Sequence, residues 1–172
     1  MQRSDGRKLL ELIARIKSDQ SSPMVEHYLS ESAGWSYQHP EQLIAERAFL
    51  HLLHNEGAPA IRLYSQISEA DLSGLDFNRL GNAYLMMSDF DQALRCYDRA
   101  IELEPDEPSH RNNKGGALAR LQRFDLALEM YDECLALEPD HATAKEAKQK
   151  LLIKLNQSEE ILDDLKQQLD DD

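Results

Sequence analysis

From residue 74 onward the apolar positions fall into two alternating helical registers. Phe77, Leu80, Gly81, Tyr84 and Leu85 stand at i, i+3, i+4, i+7 and i+8, one face of an amphipathic helix. Ser88 and Asp89 break that face and offer an N-cap. A second helix follows through Phe90, Ala93, Leu94, Tyr97, Ala100, Ile101 and Leu103, and Pro105 stops it. The plan then returns: a first helix through about Leu121, a turn at Gln122 and Arg123, and a second helix ended by Pro139. Thirteen residues of the first copy recur unchanged 34 positions later, among them Asn78, Gly81, Phe90, Tyr97 and Pro105 as Asn112, Gly115, Phe124, Tyr131 and Pro139. A fixed period of this length builds a stack of like helix pairs, each burying its apolar face on its neighbours.

The small residues of the repeat have a packing task. Gly81 and Ala83 on one helix, with Ala93 and Ala100 on the other, let two antiparallel helices approach closely, and Tyr97 and Phe90 are expected to fill the space between neighbouring units. Glycine inside a helix costs about 1 kcal/mol relative to alanine, so its return at Gly115 asks for such a reason.

A weaker copy precedes these two. Ala60, Ile61 and Tyr64 stand 33 residues before Ala93, Leu94 and Tyr97, with Gly57 and Pro59 at the expected helix–helix turn and Ala48 in place of the glycine. The chain therefore divides into an N-terminal helical extension (1–40), a degenerate repeat (41–73), two clear repeats (74–107 and 108–141), a capping helix (142–157) and an acidic C-terminal helix or tail (158–172). Lys145, Lys148, Lys150 and Lys154 give the capping helix a polar outer face. Ser158 offers an N-cap for the last segment, whose Ile161, Leu162, Leu165 and Leu169 form a narrow apolar stripe. In the extension, Leu9, Leu12, Ile13 and Ile16 share one face, which caps the stack or forms a homodimer.

The run Leu80-Gly81-Asn82-Ala83-Tyr84, followed by Ala93-Leu94, Tyr97, Ala100 and Pro105, resembles the tetratricopeptide repeat family in residue type and spacing. That resemblance implies an all-α fold, a right-handed superhelix (α-solenoid) of helix pairs with a concave groove lined by first-helix residues. In this sequence the implied groove residues include Phe49 and Leu53 in the degenerate repeat. Asn78, Arg79, Asn82 and Met86 follow in the first clear repeat, and Asn112, Asn113 and Arg120 in the second. Asparagine both donates and accepts hydrogen bonds, which suits the backbone of an extended peptide. Some co-chaperones of the family grip a terminal carboxylate with two asparagines and several cations; Asn82 and Asn113 match, but Asn78, Thr143 and Ala147 stand where the cations would be. The chain also resembles the small acidic chaperones of type III secretion in size, in its N-terminal extension and in its acidic end.

Charge narrows the partners. The formal net charge is -13, and residues 155–172 hold seven acids against Lys166 alone. Such a surface repels phosphate backbones, so nucleic acid is not expected as a partner. No apolar run approaches the roughly 18 residues of a membrane span, so no membrane insertion is expected. Cys96 and Cys134 lack CxxC spacing and read as reduced thiols of a cytoplasmic protein.

No arrangement of residues carries catalysis. Gly115-Gly116 has neither a preceding strand nor a following Gly-Lys-Ser/Thr. His51 and His54 share a helical face beside Glu56 but lack a further ligand, so neither a metal nor a cofactor is expected. The reading is a non-enzymatic module that binds a protein or peptide partner in its groove. The alternative is an assembly protein acting through its terminal helices.

Overall fold

The computed structural model of the chain describes residues 40–170, with side chains over 41–158 apart from position 43. The apolar face expected at Leu9, Leu12, Ile13 and Ile16 lies outside the described residues. Within them there are seven α-helices: α1 (Pro40–Leu53), α2 (Gly57–Tyr64), α3 (Gly74–Met86), α4 (Phe90–Leu103), α5 (Pro108–Arg120), α6 (Phe124–Leu137) and α7 (Ala142–Asp170). A single 3-10 turn, Glu69–Asp71, stands between α2 and α3, and no strand occurs among the described residues. The chain forms two compact units, divided between Glu104 and Pro105. In the first, α1 packs on α2 and α3, α2 on α3, and α3 on α4. In the second, α5 packs on α6 and α7, and α6 on α7.

Local chemistry sets the helix ends. Ser73 closes a reciprocal capping box with Asp76, Oγ accepting from the Asp76 N–H at 3.1 Å while the Ser73 N–H donates to Oδ2, also at 3.1 Å. Asp89 caps α4 as its position predicts, accepting from the Gln92 N–H at 3.2 Å. Pro108 opens α5, where a missing N–H costs nothing.

The turns within the three helix pairs share one geometry. Asn55, Ser88 and Gln122 all adopt positive φ (61°, 60° and 59°), and each is followed by a residue whose N–H reaches back five positions. These bonds are Glu56 to His51 O at 2.8 Å, Asp89 to Tyr84 O at 3.0 Å, and Arg123 to Leu118 O at 2.9 Å. This is the Schellman closure, and its recurrence at Asn55 shows that the degenerate copy turns as the clear ones do. A left-handed backbone costs a residue with a Cβ about 1–2 kcal/mol. Ser88→Gly and Gln122→Gly should each raise stability by about 0.5–1 kcal/mol, net of the added freedom of the unfolded chain. Thermal melting checks this, and a lowered midpoint would contradict it.

Packing between the helices of each pair centres on one tyrosine. Tyr64, Tyr97 and Tyr131 are all buried; Tyr97 and Tyr131 face Gly81 and Gly115, and the buried Ala48 stands at the matching position of the first pair. A Cβ on Gly81 would stand 2.6 Å from Cε1 of Tyr97, and one on Gly115 2.7 Å from Cε1 of Tyr131. Tyr97 therefore fills space inside its own helix pair, against Gly81. Cys134, which replaces Ala100 of the preceding copy, is fully enclosed, and both cysteines are free thiols.

Two boundaries differ from expectation. Gly57 and Pro59 lie in the first turn of α2 instead of in the connection, because proline is tolerated where no intrahelical donor is needed. Ser158 caps nothing: α7 runs unbroken for 29 residues, and the Ser158 hydroxyl donates back to the Lys154 carbonyl at 2.9 Å. The stretch from Gln157 through Glu160 holds no proline or glycine to end a helix.

Candidate functional site

In the first unit the candidate face comprises the outward sides of α1 and α3. Leu53 and Met86 occupy matching positions 33 residues apart, and both remain exposed, at 43% and 41%. They lie at the C-terminal ends of helices that pack on each other, and Leu75 is exposed near the other end of α3. Asn82 is half-buried, its Oδ1 accepting from the Tyr97 hydroxyl at 2.7 Å. That bond uses an acceptor and leaves the two amide donors of Asn82 for another group.

Arg79 is placed differently. Its guanidinium lies 4.0 Å over the Phe49 ring, 3.5 Å from Glu46 and 3.9 Å from Asp76. Its charge is thus answered inside the unit, and Phe49 serves as its platform. Asn78 is buried, so its side chain belongs to the packing between helices. Phe49 stands 33 residues before Asn82, and the Tyr64 hydroxyl consequently lacks the partner that Asn82 gives Tyr97. Burial pushes the Tyr64 phenol above the ordinary tyrosine range, with the charge of Arg79 opposing in part.

In the second unit, Asn112 and Asn113 are half-buried, with Nδ2 of Asn112 donating to Oδ1 of Asn113 at 3.4 Å. Arg120 is exposed, and a Cβ on Gly116 would meet nothing within 4 Å, so the α5 face carries an open notch where Asn82 stands in the preceding copy. On α7, Lys150 is paired with Glu146 at 2.6 Å.

The histidines converge on one carboxylate. Glu56 accepts from His51 Nδ1 at 2.6 Å and lies 3.3 Å from His54 Nδ1, which holds its carboxyl below the usual range, mainly through those hydrogen bonds. The three join the end of α1 to the start of α2. Among the described residues no group of three or more His, Cys, Asp and Glu side chains is arranged to hold a metal ion. No helix among them is long and apolar enough to cross a membrane.

Comparison with known proteins places this architecture. The tetratricopeptide repeat pattern matches residues 80–151. The first TPR domain of the human RPAP3 protein superposes with a TM-score of 0.65 at 22% identity, covering 71% of this chain and 97% of that one. The chain is a tetratricopeptide-repeat protein. The second TPR domain of human RPAP3, solved with the HSP70 peptide SGPTIEEVD, gives 0.61 at 22% identity, covering 66% of this chain and 96% of that one. PcrH, solved with the chaperone binding region of PopB, gives 0.57 at 16% identity over 69% of this chain and 95% of that one. At these identities the neighbours establish the fold alone. No curated protein matches the sequence.

One part of this tetratricopeptide protein departs from its own repeat. α2 has 8 residues, whereas α4 and α6 each have 14. Helix α2 ends at Tyr64, and the chain then descends through Ile67 and the 3-10 turn to Leu72. The missing helical turns leave a cleft of about 620 Å³ between α2 and α4, with Phe77, Leu80 and Tyr84 of α3 along its base. The sequence pattern held the sign of it: beyond Tyr64 only Glu69 still matches Phe90–Leu103, and Ser65-Gln66 follows the tyrosine.

Proposed function

We propose that this tetratricopeptide protein is a non-enzymatic interaction module that binds a segment of a partner protein on its first-helix face. The observation that carries the reading is the pair Leu53 and Met86, large apolar side chains left exposed at matching positions of two helices that pack on each other. Isolated exposed apolar residues are ordinary, but a recurrent pair beside the amide donors of Asn82 makes a surface with both burial and hydrogen bonding to offer. Because Arg79 is already paired, the face takes an apolar segment through its backbone and side chains. It is not a clamp for an acidic terminus. The neighbours solved with bound peptides accord with this reading, and the buried free thiols Cys96 and Cys134 accord with a cytoplasmic setting.

Peptides selected from a random library on the full chain provide the test. Leu53→Ser with Met86→Ser should weaken binding at least tenfold with helicity and melting retained, and Asn82→Ala should weaken it with helicity retained and the midpoint lowered by a few degrees, because it also removes the acceptor of the Tyr97 hydroxyl. Unchanged affinity in both variants would remove the assignment.

A second reading rests on α7, which continues well beyond Ala144 and Leu151, the residues that bury it on α5 and α6. The extension would act in assembly. Ending the chain at Gln157 should then lower its mass in solution while peptide binding persists.

A further inference from the structure

The geometry points to a second binding site, the cleft between α2 and α4, for a single-chain amphiphile bearing a carboxylate: a free fatty acid. Its walls are apolar, formed by Ile61, Ile67, Leu72, Phe77 and Leu80, and closed on one side by Cys96. Six polar side chains share the lining, Ser65, Glu69, Gln92, Arg95, Asp98 and Arg99, and all but the half-buried Gln92 are exposed at the rim. Arg99 is held there by Glu69 at 3.6 Å and by Glu102, so its charge is already answered. Asp98, the other acid of the lining, is also engaged. Arg95 lines the same rim and has no hydrogen-bond or ion-pair partner among the described residues. One uncompensated guanidinium over an apolar slot calls for one anionic head on an apolar tail.

Size decides between a lipid tail and a protein segment. The volume of about 620 Å³ lies in the range of small-ligand clefts, roughly 300–1,000 Å³. A docked helix is about 10 Å across and rises about 5.4 Å per turn, so it would fill the space in under two turns. An alkyl chain enters without needing secondary structure. The site also owes nothing to the shared repeat plan, because it exists only where α2 is cut short.

Dodecanoate, titrated into the full chain below its micellar concentration and followed by calorimetry, tests the site. One equivalent should bind, and dodecanol, with the same tail and no charge, should bind at least tenfold more weakly. Arg95→Glu should cost at least tenfold, and Ser65→Trp, which places bulk at the exposed mouth, should abolish uptake; circular dichroism verifies that both remain folded. Alkylation of Cys96 should slow severalfold with dodecanoate bound, while Cys134, fully enclosed, reports on global unfolding. The proposal falls if wild type takes up no dodecanoate. It falls equally if several equivalents bind indifferently to both substitutions. Binding of an acidic apolar peptide at Arg95 without dodecanoate uptake would assign the cleft to a protein partner and overturn the proposal as well.

Discussion

Two adjacent glycines should respond to the same substitution with opposite signs. Gly115→Ala places a methyl group 2.7 Å from a ring carbon of the buried Tyr131, closer than any carbon pair tolerates, so the ring or the helix must move. Overpacking of this kind costs about 1–3 kcal/mol even after alanine's helix preference is counted. Gly116→Ala meets nothing within 4 Å, and there alanine should gain about 1 kcal/mol. Gly81→Ala should behave as Gly115→Ala does, more severely, since the Tyr97 ring it strikes is fully buried and tied through its hydroxyl to Asn82. For a chain of this size, 1 kcal/mol moves the midpoint by about 2–4 °C, so differential scanning calorimetry separates the three variants. A destabilised Gly116→Ala, or an indifferent Gly81→Ala, would show that the tyrosine–glycine contacts do not govern the spacing of the helices.

These contacts also show why the fold was legible in the sequence. The return of glycine and tyrosine at a fixed spacing records a close approach within one helix pair, and local constraints of that kind repeat with the chain. Asp89 and Pro105 were legible for the same reason, since a cap and a stop act on their own helix. The functional face was harder to read. Whether Arg79 is an anchor or a packing residue depends on Glu46, one repeat earlier, and on the Phe49 ring beneath it, a relation created only when α1 and α3 meet. Asn78 recurs as Asn112, yet one is buried and the other half-buried, so identity between copies did not fix exposure. The cleft beside α2 was hidden for another reason: an absence of helical turns leaves only a missing match in the sequence.

The tyrosines offer the sharpest separation of packing from hydrogen bonding. Tyr97→Ala removes a fully buried aromatic ring from between α3 and α4 and should cost about 3–5 kcal/mol, the largest loss expected of any single change considered. Tyr97→Phe keeps the ring and loses only the 2.7 Å bond to Asn82, which should cost about 1 kcal/mol. At Tyr64 the same change should behave differently. That hydroxyl is buried without a hydrogen-bond partner, because Phe49 occupies the position of Asn82. Removing it also removes its desolvation cost, so Tyr64→Phe should leave stability within about 0.5 kcal/mol of wild type or raise it. Phe49→Asn should shift the balance back by giving Tyr64 a partner while taking the ring from under Arg79. A double-mutant cycle between positions 49 and 64, read by urea unfolding, measures that coupling directly. Equal losses for Tyr64→Phe and Tyr97→Phe would mean that the Tyr64 hydroxyl makes a bond in solution, with the nearby Arg79 guanidinium as its donor.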